Sequence, residues 1–247
     1  MISISIVSHG QMSYVELLLS DMQKYCSKTS VEVILTLNIP ESFNVDLELY
    51  SFPVRLIENK AIKGFGANHN QAFEIASGEY FCVLNPDVRF KNDPFPSLLN
   101  VLNNDAVGVV APLVLAADGS IEVSARKFPS PISVMLKALG VSDRYENRFS
   151  NKGAGSPDWV AGMFMFFTSQ TFRSVKGFDP KYFLYYEDVD LCARLRCVRK
   201  CVVLCTESEI IHLAQRASHR NLRYFFWHIT SMLRFFISKA YWRMLWR

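Results

Sequence analysis

Three features of the 247-residue sequence predict an α/β fold with a mainly parallel central sheet flanked by helices and a C-terminal amphipathic helix. Strand-like apolar runs alternate with helical segments of about ten residues, the pattern of βαβ units. The run Tyr80–Leu84 is apolar throughout, as in a parallel strand covered on both faces. Neither an internal repeat nor a linker divides the chain, so one domain over 1–218 and an appendage over 219–247 are expected. Half of the residues are hydrophobic and a fifth are charged, which excludes a disordered, collagen-like or coiled-coil chain.

Ile2, Ile4 and Ile6 alternate with Ser3 and Ser5 in a first strand that ends at Val7-Ser8. A polar turn from His9 to Ser13 precedes Val15, Leu18, Leu19 and Met22 at helical spacing. Val31–Leu37 and Val54–Ile57 read as the next strands. The turn Lys63-Gly64-Phe65-Gly66 opens a helix through Asn70, Phe73 and Ile75, which Gly78 ends. After a strand at Val107–Ala111 come short extended pieces and Ser142–Asp158, a polar stretch that reads as a mobile loop. Trp159–Phe167 reads as one hydrophobic strand, followed by a short helix and the turn Gly177-Phe178-Asp179. A helix from Glu187 to about Cys197 and a strand at Cys201–Cys205 complete the body.

The net charge of +4 is unevenly placed. Residues 213–247 hold seven Lys/Arg and no acid, while residues 1–212 hold 20 basic against 23 acidic residues, a net of −3. No run approaches the ~20 apolar residues that span a bilayer. MISISIVSHG lacks the basic start and long apolar core of a signal peptide, so a cytoplasmic address with reduced thiols is expected. Cys192, Cys197, Cys201 and Cys205 lack the CxxC pairing of structural zinc sites and read as small buried hydrophobes.

Ligands of open α/β sheets bind at the carboxyl ends of the strands. Ser8-His9, Glu58-Asn59 and Asn85-Pro86-Asp87 stand at three such ends. Asp87 suits a divalent-cation ligand beside a diphosphate and an ordinary turn residue after proline equally well. Gly64-Phe65-Gly66 either offers backbone N–H groups to phosphate or simply starts a helix, with Asn68, His69 and Asn70 on its first turn. Glu187, Asp188 and Asp190 follow Tyr185 and Tyr186 at a helix start, where the macrodipole stabilises acids and where a general base can face a cleft. His212, after the strand-like Glu209–Ile211, suits a metal ligand or a structural histidine.

Taken in order, Ile2 to His9, Gly64-Phe65-Gly66-Ala67-Asn68-His69-Asn70, Leu84-Asn85-Pro86-Asp87, Trp159-Val160-Ala161-Gly162-Met163, Gly177-Phe178-Asp179, Phe183 to Leu195 and Ile211-His212 resemble family 2 glycosyltransferases of the GT-A fold. The likeness is greatest to the rhamnosyltransferase-like group that builds bacterial surface polysaccharides such as O-antigen. It implies an inverting, metal-dependent transfer of a sugar, rhamnose being one candidate, from a dTDP- or UDP-linked donor to a lipid-linked glycan acceptor. It further implies that Ser8, His9, Glu58, Gly64, Asn68, Asn85 and Asp87 bind the donor, and that Asp87 and His212 hold Mg²⁺ or Mn²⁺. Asp188 is then the general base, with Glu187, Trp159 and Gly162 on the acceptor side. A nucleotidyltransferase would carry a longer Gly-rich basic loop where Ser8-His9-Gly10-Gln11 stands, and a non-catalytic relative would have no need of Asp87 and Asp188. Arg199 replaces the glycine usual after the acidic helix, so a differently shaped helix end is expected.

From Asn221, the residues Leu222, Phe225, Phe226, Ile229, Leu233, Phe236, Ile237, Ala240 and Met244 share one helical face, with Arg216, Arg220, Arg223 and Arg234 on another. Trp227, Tyr241, Trp242 and Trp246 add interfacial aromatics. Such a helix suits an anionic membrane surface, here the inner face of the cell membrane, or docking on the core; nucleic acid is not an expected partner.

Overall fold

The computed structural model describes residues 1–42, 46–138, 157–213 and 222–246. Most of the expected loop (142–156), with Arg216, Ser218 and Arg220, lies outside the described residues. The strands are β1 (Ile2–Ser8), β2 (Val31–Leu37), β3 (Val54–Glu58), β4 (Tyr80–Leu84), β5 (Val88–Arg89), β6 (Val107–Ala116), β7 (Ala125–Arg126), β8 (Trp159–Val160), β9 (Phe164–Thr168) and β10 (Cys201–His212). The helices are α1 (Met12–Tyr25), α2 (Phe65–Ile75), α3 (Phe95–Leu102), α4 (Pro131–Ala138), α5 (Ser169–Ser174), α6 (Glu187–Cys197), α7 (Leu222–Ile237) and α8 (Lys239–Leu245).

An eight-stranded sheet runs in the order β3-β2-β1-β4-β9-β6-β10-β5, and β7 pairs with β8 separately. β3, β2, β1 and β4 are parallel, as are β6 and β10. β9 is antiparallel between β4 and β6, and β5 is antiparallel on β10. From β1 the neighbours lie on both sides, β2 to one and β4 to the other. That is a switch point, where the carboxyl ends of parallel strands leave a crevice.

Helices cover both faces. Ile2, Ile4, Ile6, Val33 and Leu35 pack with Val15, Leu18 and Leu19 of α1 on one side. Phe81, Val83, Met165 and Phe167 pack with Phe172, Phe178, Leu191 and Leu195 on the other. Ser3 and Ser5, on the second side of β1, are buried too: Ser3 Oγ donates to Glu32 at 2.6 Å, and Ser5 Oγ lies 2.8 Å from His69 Nδ1. The alternation in β1 therefore separates an apolar core from a buried polar layer, not core from solvent.

Of the four cysteines read as small buried hydrophobes, Cys192 and Cys205 are buried, Cys197 is half-buried and Cys201 is exposed. Four expected elements also change. The expected strand Trp159–Phe167 is broken at 161–163 into β8 and β9. Cys201–Cys205 and Glu209–Ile211 are one strand, β10, with a register shift between Cys205 and Glu209. Arg199 keeps the left-handed turn at φ 62° despite its side chain, so the end of α6 is shaped as a glycine would shape it. The single C-terminal helix is two, because Ser238 leaves helical geometry (ψ 150°) and its side chain caps α8 by accepting from Tyr241 N–H.

That break redirects the apolar residues. Phe235, Ala240, Tyr241 and Met244 pack against Tyr182, Val189 and Ala193, docking α7 and α8 on α6. Burying Phe235 alone contributes about 1.5–3 kcal/mol. The expected apolar face of α7 points the other way: Leu222, Phe225, Phe226, Leu233 and Ile237 are 55–85% exposed.

His69 of α2 is buried between Ser5 and the rings of Phe65 and Phe178, with Nε2 left without a partner. Burial pushes its pKa down to about 3. The unfolded chain binds this proton near pH 6.5 and the folded chain does not, so His69 contributes stability above pH 6.5 that is lost as the pH falls toward 3. Urea unfolding is expected to show a His69→Asn variant losing stability less steeply than the parent between pH 6.5 and pH 4, by up to roughly 1.4 kcal/mol per pH unit. Parallel slopes would show that the ring titrates normally.

Candidate active site

A cleft of about 580 Å³ opens at the carboxyl ends of β1, β2 and β4. Val7, His9, Gly10 and Gln11 line it after β1, Asn38 after β2, Lys63, Phe65 and Asn68 around the start of α2, and Asn85, Pro86 and Asp87 after β4. Phe183, Leu184 and Tyr185, with Arg223, Tyr224 and Trp227 of α7, complete the wall.

An amide network fixes one side. Asn38 Oδ1 accepts from Lys63 N–H (2.9 Å) and Asn59 Nδ2 (2.9 Å), while Asn38 Nδ2 donates to Lys63 O (2.9 Å) and to His9 Nδ1 (3.2 Å). Asn59 Nδ2 also donates to Asn68 Oδ1 at 2.6 Å, and Asn68 Nδ2 donates to Gly64 O at 3.1 Å. Gly64 has to be glycine for a packing reason: a Cβ there would lie 2.6 Å from Phe183 O and 2.8 Å from Phe183 Cα. Phe65 N–H donates to the same Phe183 carbonyl at 2.9 Å, so α2 begins clamped to the segment before α6.

Asp87 is buried at the floor. Among the described residues its Oδ1 has no hydrogen-bond partner, and its Oδ2 lies 3.4 Å from His212 Nε2. The other ring nitrogen, His212 Nδ1, donates to Glu122 at 3.0 and 3.2 Å. Burial alone would lower the His212 pKa; the flanking Asp87 and Glu122 carboxylates outweigh it and raise the value to about 9. A carboxylate with an orphaned buried oxygen beside an imidazole oriented by a second carboxylate is a donor set that fits a divalent cation. Among the described residues no group of three or more His, Cys, Asp or Glu gathers as a metal cluster, so protein would supply two ligands and leave the others to phosphate and water.

The acid pair sits at the start of α6. Tyr185 and Tyr186 take left-handed φ values of 69° and 65°, a costly conformation for non-glycine residues that turns the chain abruptly into the helix. Asp188 Oδ2 accepts from Gly162 N–H at 3.0 Å and Oδ1 from Val189 N–H at 2.8 Å. Burial raises the Asp188 pKa against these hydrogen bonds. Glu187, whose Oε2 is buried without a partner, is raised well above the carboxylate range by burial and then by the Asp188 charge. Two adjacent carboxylates that resist ionising together suit proton transfer. Phe65 connects this pair to the cleft, since its ring lines the cleft and lies against Gly162, where a Cβ would meet it at 3.1 Å.

Of the residues expected at the donor side, His9, Asn68, Asn85 and Asp87 line the cleft. Ser8 does not: its hydroxyl donates to Glu41 at 2.9 Å and accepts from Gln11 N–H at 3.1 Å. Glu58 is exposed at the end of β3, and its neighbour Asn59 makes the inward contacts, because successive strand residues face opposite ways. Gly64 underlies the wall without lining it. Asp188, Glu187 and Gly162 form one cluster behind Phe65, and Trp159 stands beyond them, its indole donating to Lys127 O at 3.0 Å under the Arg126 guanidinium. The sequence singles out neither Asn38 nor Glu122, and it places Arg223 on the basic face of the C-terminal helix, not in the cleft wall where it stands. Asn38 leaves a signal in the sequence, as the polar residue directly after the strand Val31–Leu37.

The model of the glycosyl transferase family 2 matches residues 36–173. Rhamnosyltransferase WbbL of Escherichia coli K12 is 28% identical over 97% of this chain and 94% of its own length. The N-acetylglucosaminyl-diphospho-decaprenol L-rhamnosyltransferase of Mycobacterium tuberculosis is 28% identical over 66% of this chain, which spans 56% of that enzyme. Among solved structures, GalNAc-T7 with UDP, GalNAc and Mn²⁺ superposes with a TM-score of 0.68 at 14% identity, over 89% of this chain and 44% of that one. Mannosyltransferase PcManGT from Pyrobaculum calidifontis with GDP-Man and Mn²⁺ gives 0.64 at 13% identity, over 94% and 64%. The matched family model covers more than half of the chain and the cleft sits at the switch point of a sheet shared with those transferases: the chain belongs to glycosyl transferase family 2 and is a glycosyltransferase similar to the rhamnosyltransferases.

Proposed function

We propose that the protein transfers a single sugar, rhamnose on the strength of its relatives' names, from a dTDP- or UDP-linked donor to a lipid-linked glycan acceptor, with inversion, during surface polysaccharide synthesis. One observation carries the reading most: a buried carboxylate oxygen with no partner, Asp87 Oδ1, beside His212 at the end of a parallel strand and facing the cleft. Asp87 and His212 are the residues that would hold Mg²⁺ or Mn²⁺, as the Mn²⁺ in the structural neighbours encourages. Such an ion supplies charge neutralisation for a departing diphosphate.

The chain's own groups do the rest. The amide network of Asn38, Asn59 and Asn68 presents His9 and the Lys63 backbone to the nucleoside. Asp188, held by Gly162 N–H, takes the proton of the acceptor hydroxyl while that oxygen bonds to the anomeric carbon. The bond from that carbon to the diphosphate breaks on the opposite face. Glu187, kept protonated beside Asp188, shapes the acceptor side and leaves Asp188 as the base.

The acceptor's lipid suggests where the protein works. No helix of the described residues is long and apolar enough to cross a membrane. Support for a peripheral position, on the cytoplasmic leaflet, is the exposed stripe Leu222, Phe225, Phe226, Leu233 and Ile237 on α7, with Arg234 on the same helix and Trp242 and Trp246 exposed on and after α8.

Asp188→Asn is expected to cut turnover of donor and lipid-linked acceptor by about 10²–10⁴-fold while nucleotide affinity stays near the parent value. Turnover at the parent level would remove Asp188 as the base. For the membrane reading, the full chain is expected to float with phosphatidylcholine vesicles containing phosphatidylglycerol, and a Phe225→Ser, Phe226→Ser, Leu233→Ser variant is expected not to. Truncation would be a poorer test, because α7 and α8 bury Phe235, Tyr241 and Met244 against α6. Equal flotation of parent and triple variant would contradict it.

A further inference from the structure

The α/β core does not close the cleft by itself. Arg223, Tyr224 and Trp227, from the first two turns of α7, form part of the wall of the same cavity that Asp87 and Lys63 line. They are not loosely placed. The Trp227 ring packs 4.6 Å from Phe183, whose carbonyl is bonded to Phe65 N–H; Tyr224 meets Trp227 edge-on at 5.3 Å. The Arg223 guanidinium lies over the Trp227 ring, 4.8 Å from its centroid. A stacked guanidinium keeps its charge and has fewer rotamers to lose on binding an anion.

Charge at the cleft makes such a group useful. Among the described residues, the charged side chains that line the cleft are the carboxylate of Asp87 and the basic Lys63 and Arg223, with His9 beside them. A nucleoside diphosphate carries more negative charge when it leaves than when it was esterified to the sugar. A planar fork of N–H donors matches phosphate oxygens two at a time.

We propose that Arg223 is a donor-binding residue that contacts the diphosphate, and that α7 is thereby a functional wall of the donor site as well as a surface helix. The proposal rests on the nucleotide-sugar reading given above. It assigns the two sides of α7 different work: Arg223, Tyr224 and Trp227 face the cleft, while Leu222, Phe225 and Phe226 stay exposed.

The test is calorimetric titration of the full chain, in Mn²⁺, with dTDP and UDP and with thymidine and uridine. The variants are Arg223→Ala and Arg223→Lys, each first shown to unfold at the parent temperature. Arg223→Ala is expected to weaken the preferred diphosphate roughly ten- to hundredfold, with nucleoside affinity unchanged and partial recovery in Arg223→Lys. Undiminished diphosphate binding by Arg223→Ala would overturn the proposal and leave the arginine to the lipid surface. Equal losses for nucleoside and diphosphate would also overturn it, by showing that Arg223 only supports the Trp227 stack. If the parent bound neither diphosphate, the nucleotide-sugar reading itself would fall and this inference with it.

Discussion

Two residue pairs of antiparallel strand hold the candidate site together. Val88 lies opposite His212 and Arg89 opposite Ile211, and Leu213 N–H donates to Asp87 O at 2.9 Å. That register brings Asp87, just beyond the end of β4, against a histidine from the last strand of the body. So short a strand needs external support, and Asp21 of α1 supplies it. Its carboxylate accepts from Arg89 Nε (2.5 Å), Arg89 Nη2 (2.8 Å) and Phe90 N–H (3.0 Å). The buried charge of Asp21 is therefore fully occupied in clamping β5 to the helix beside it. On the other side, the register shift between Cys205 and Glu209 passes over residues 206–208 of β10, and beyond it β10 pairs with β6 and β5 together.

The acid pair depends on a second constraint, at the turn before α6. The left-handed Tyr185 and Tyr186 place Glu187 and Asp188 in the first turn of the helix, where the macrodipole and the Gly162 N–H favour the ionised form of one of them. Burial opposes ionisation of both. The compromise is one carboxylate that accepts two backbone hydrogen bonds and a neighbour with an oxygen that accepts none. Phe183, two residues ahead of this turn, also anchors α2 and Trp227, so the helix start, the cleft wall and the C-terminal helix meet at one backbone segment.

Much of this was legible in the sequence, for identifiable reasons. The mainly parallel sheet follows from the alternation of strands and helices, whereas the place of Asp87 just beyond an apolar strand suits a cation ligand and a turn residue alike, and only the resemblance to a family favours the first. Periodicity failed where it lacked the pleat. Glu58 and Asn59 are adjacent, and only the register of β3 on β2 decides which one points inward. Ser8 was attractive as a strand-end hydroxyl, but Glu41, far along the chain, takes it up. Glu122 and Arg223 reach the site through tertiary packing of a loop and a terminal helix, which no local pattern reveals. The C-terminal pattern reads as one helix because a lone serine in an apolar run carries little weight, yet Ser238 caps a new helix there and turns Tyr241 and Met244 inward.

At the centre of the account is a division of labour between two aspartates, Asp87 for a cation and Asp188 for a proton. Manganese titration followed by electron paramagnetic resonance, with nucleoside diphosphate present, separates them most directly. The account predicts one bound Mn²⁺ per chain in the parent and in Asp188→Asn, and loss of that ion in Asp87→Asn. Binding that survives Asp87→Asn unchanged, or that disappears in Asp188→Asn, would contradict it.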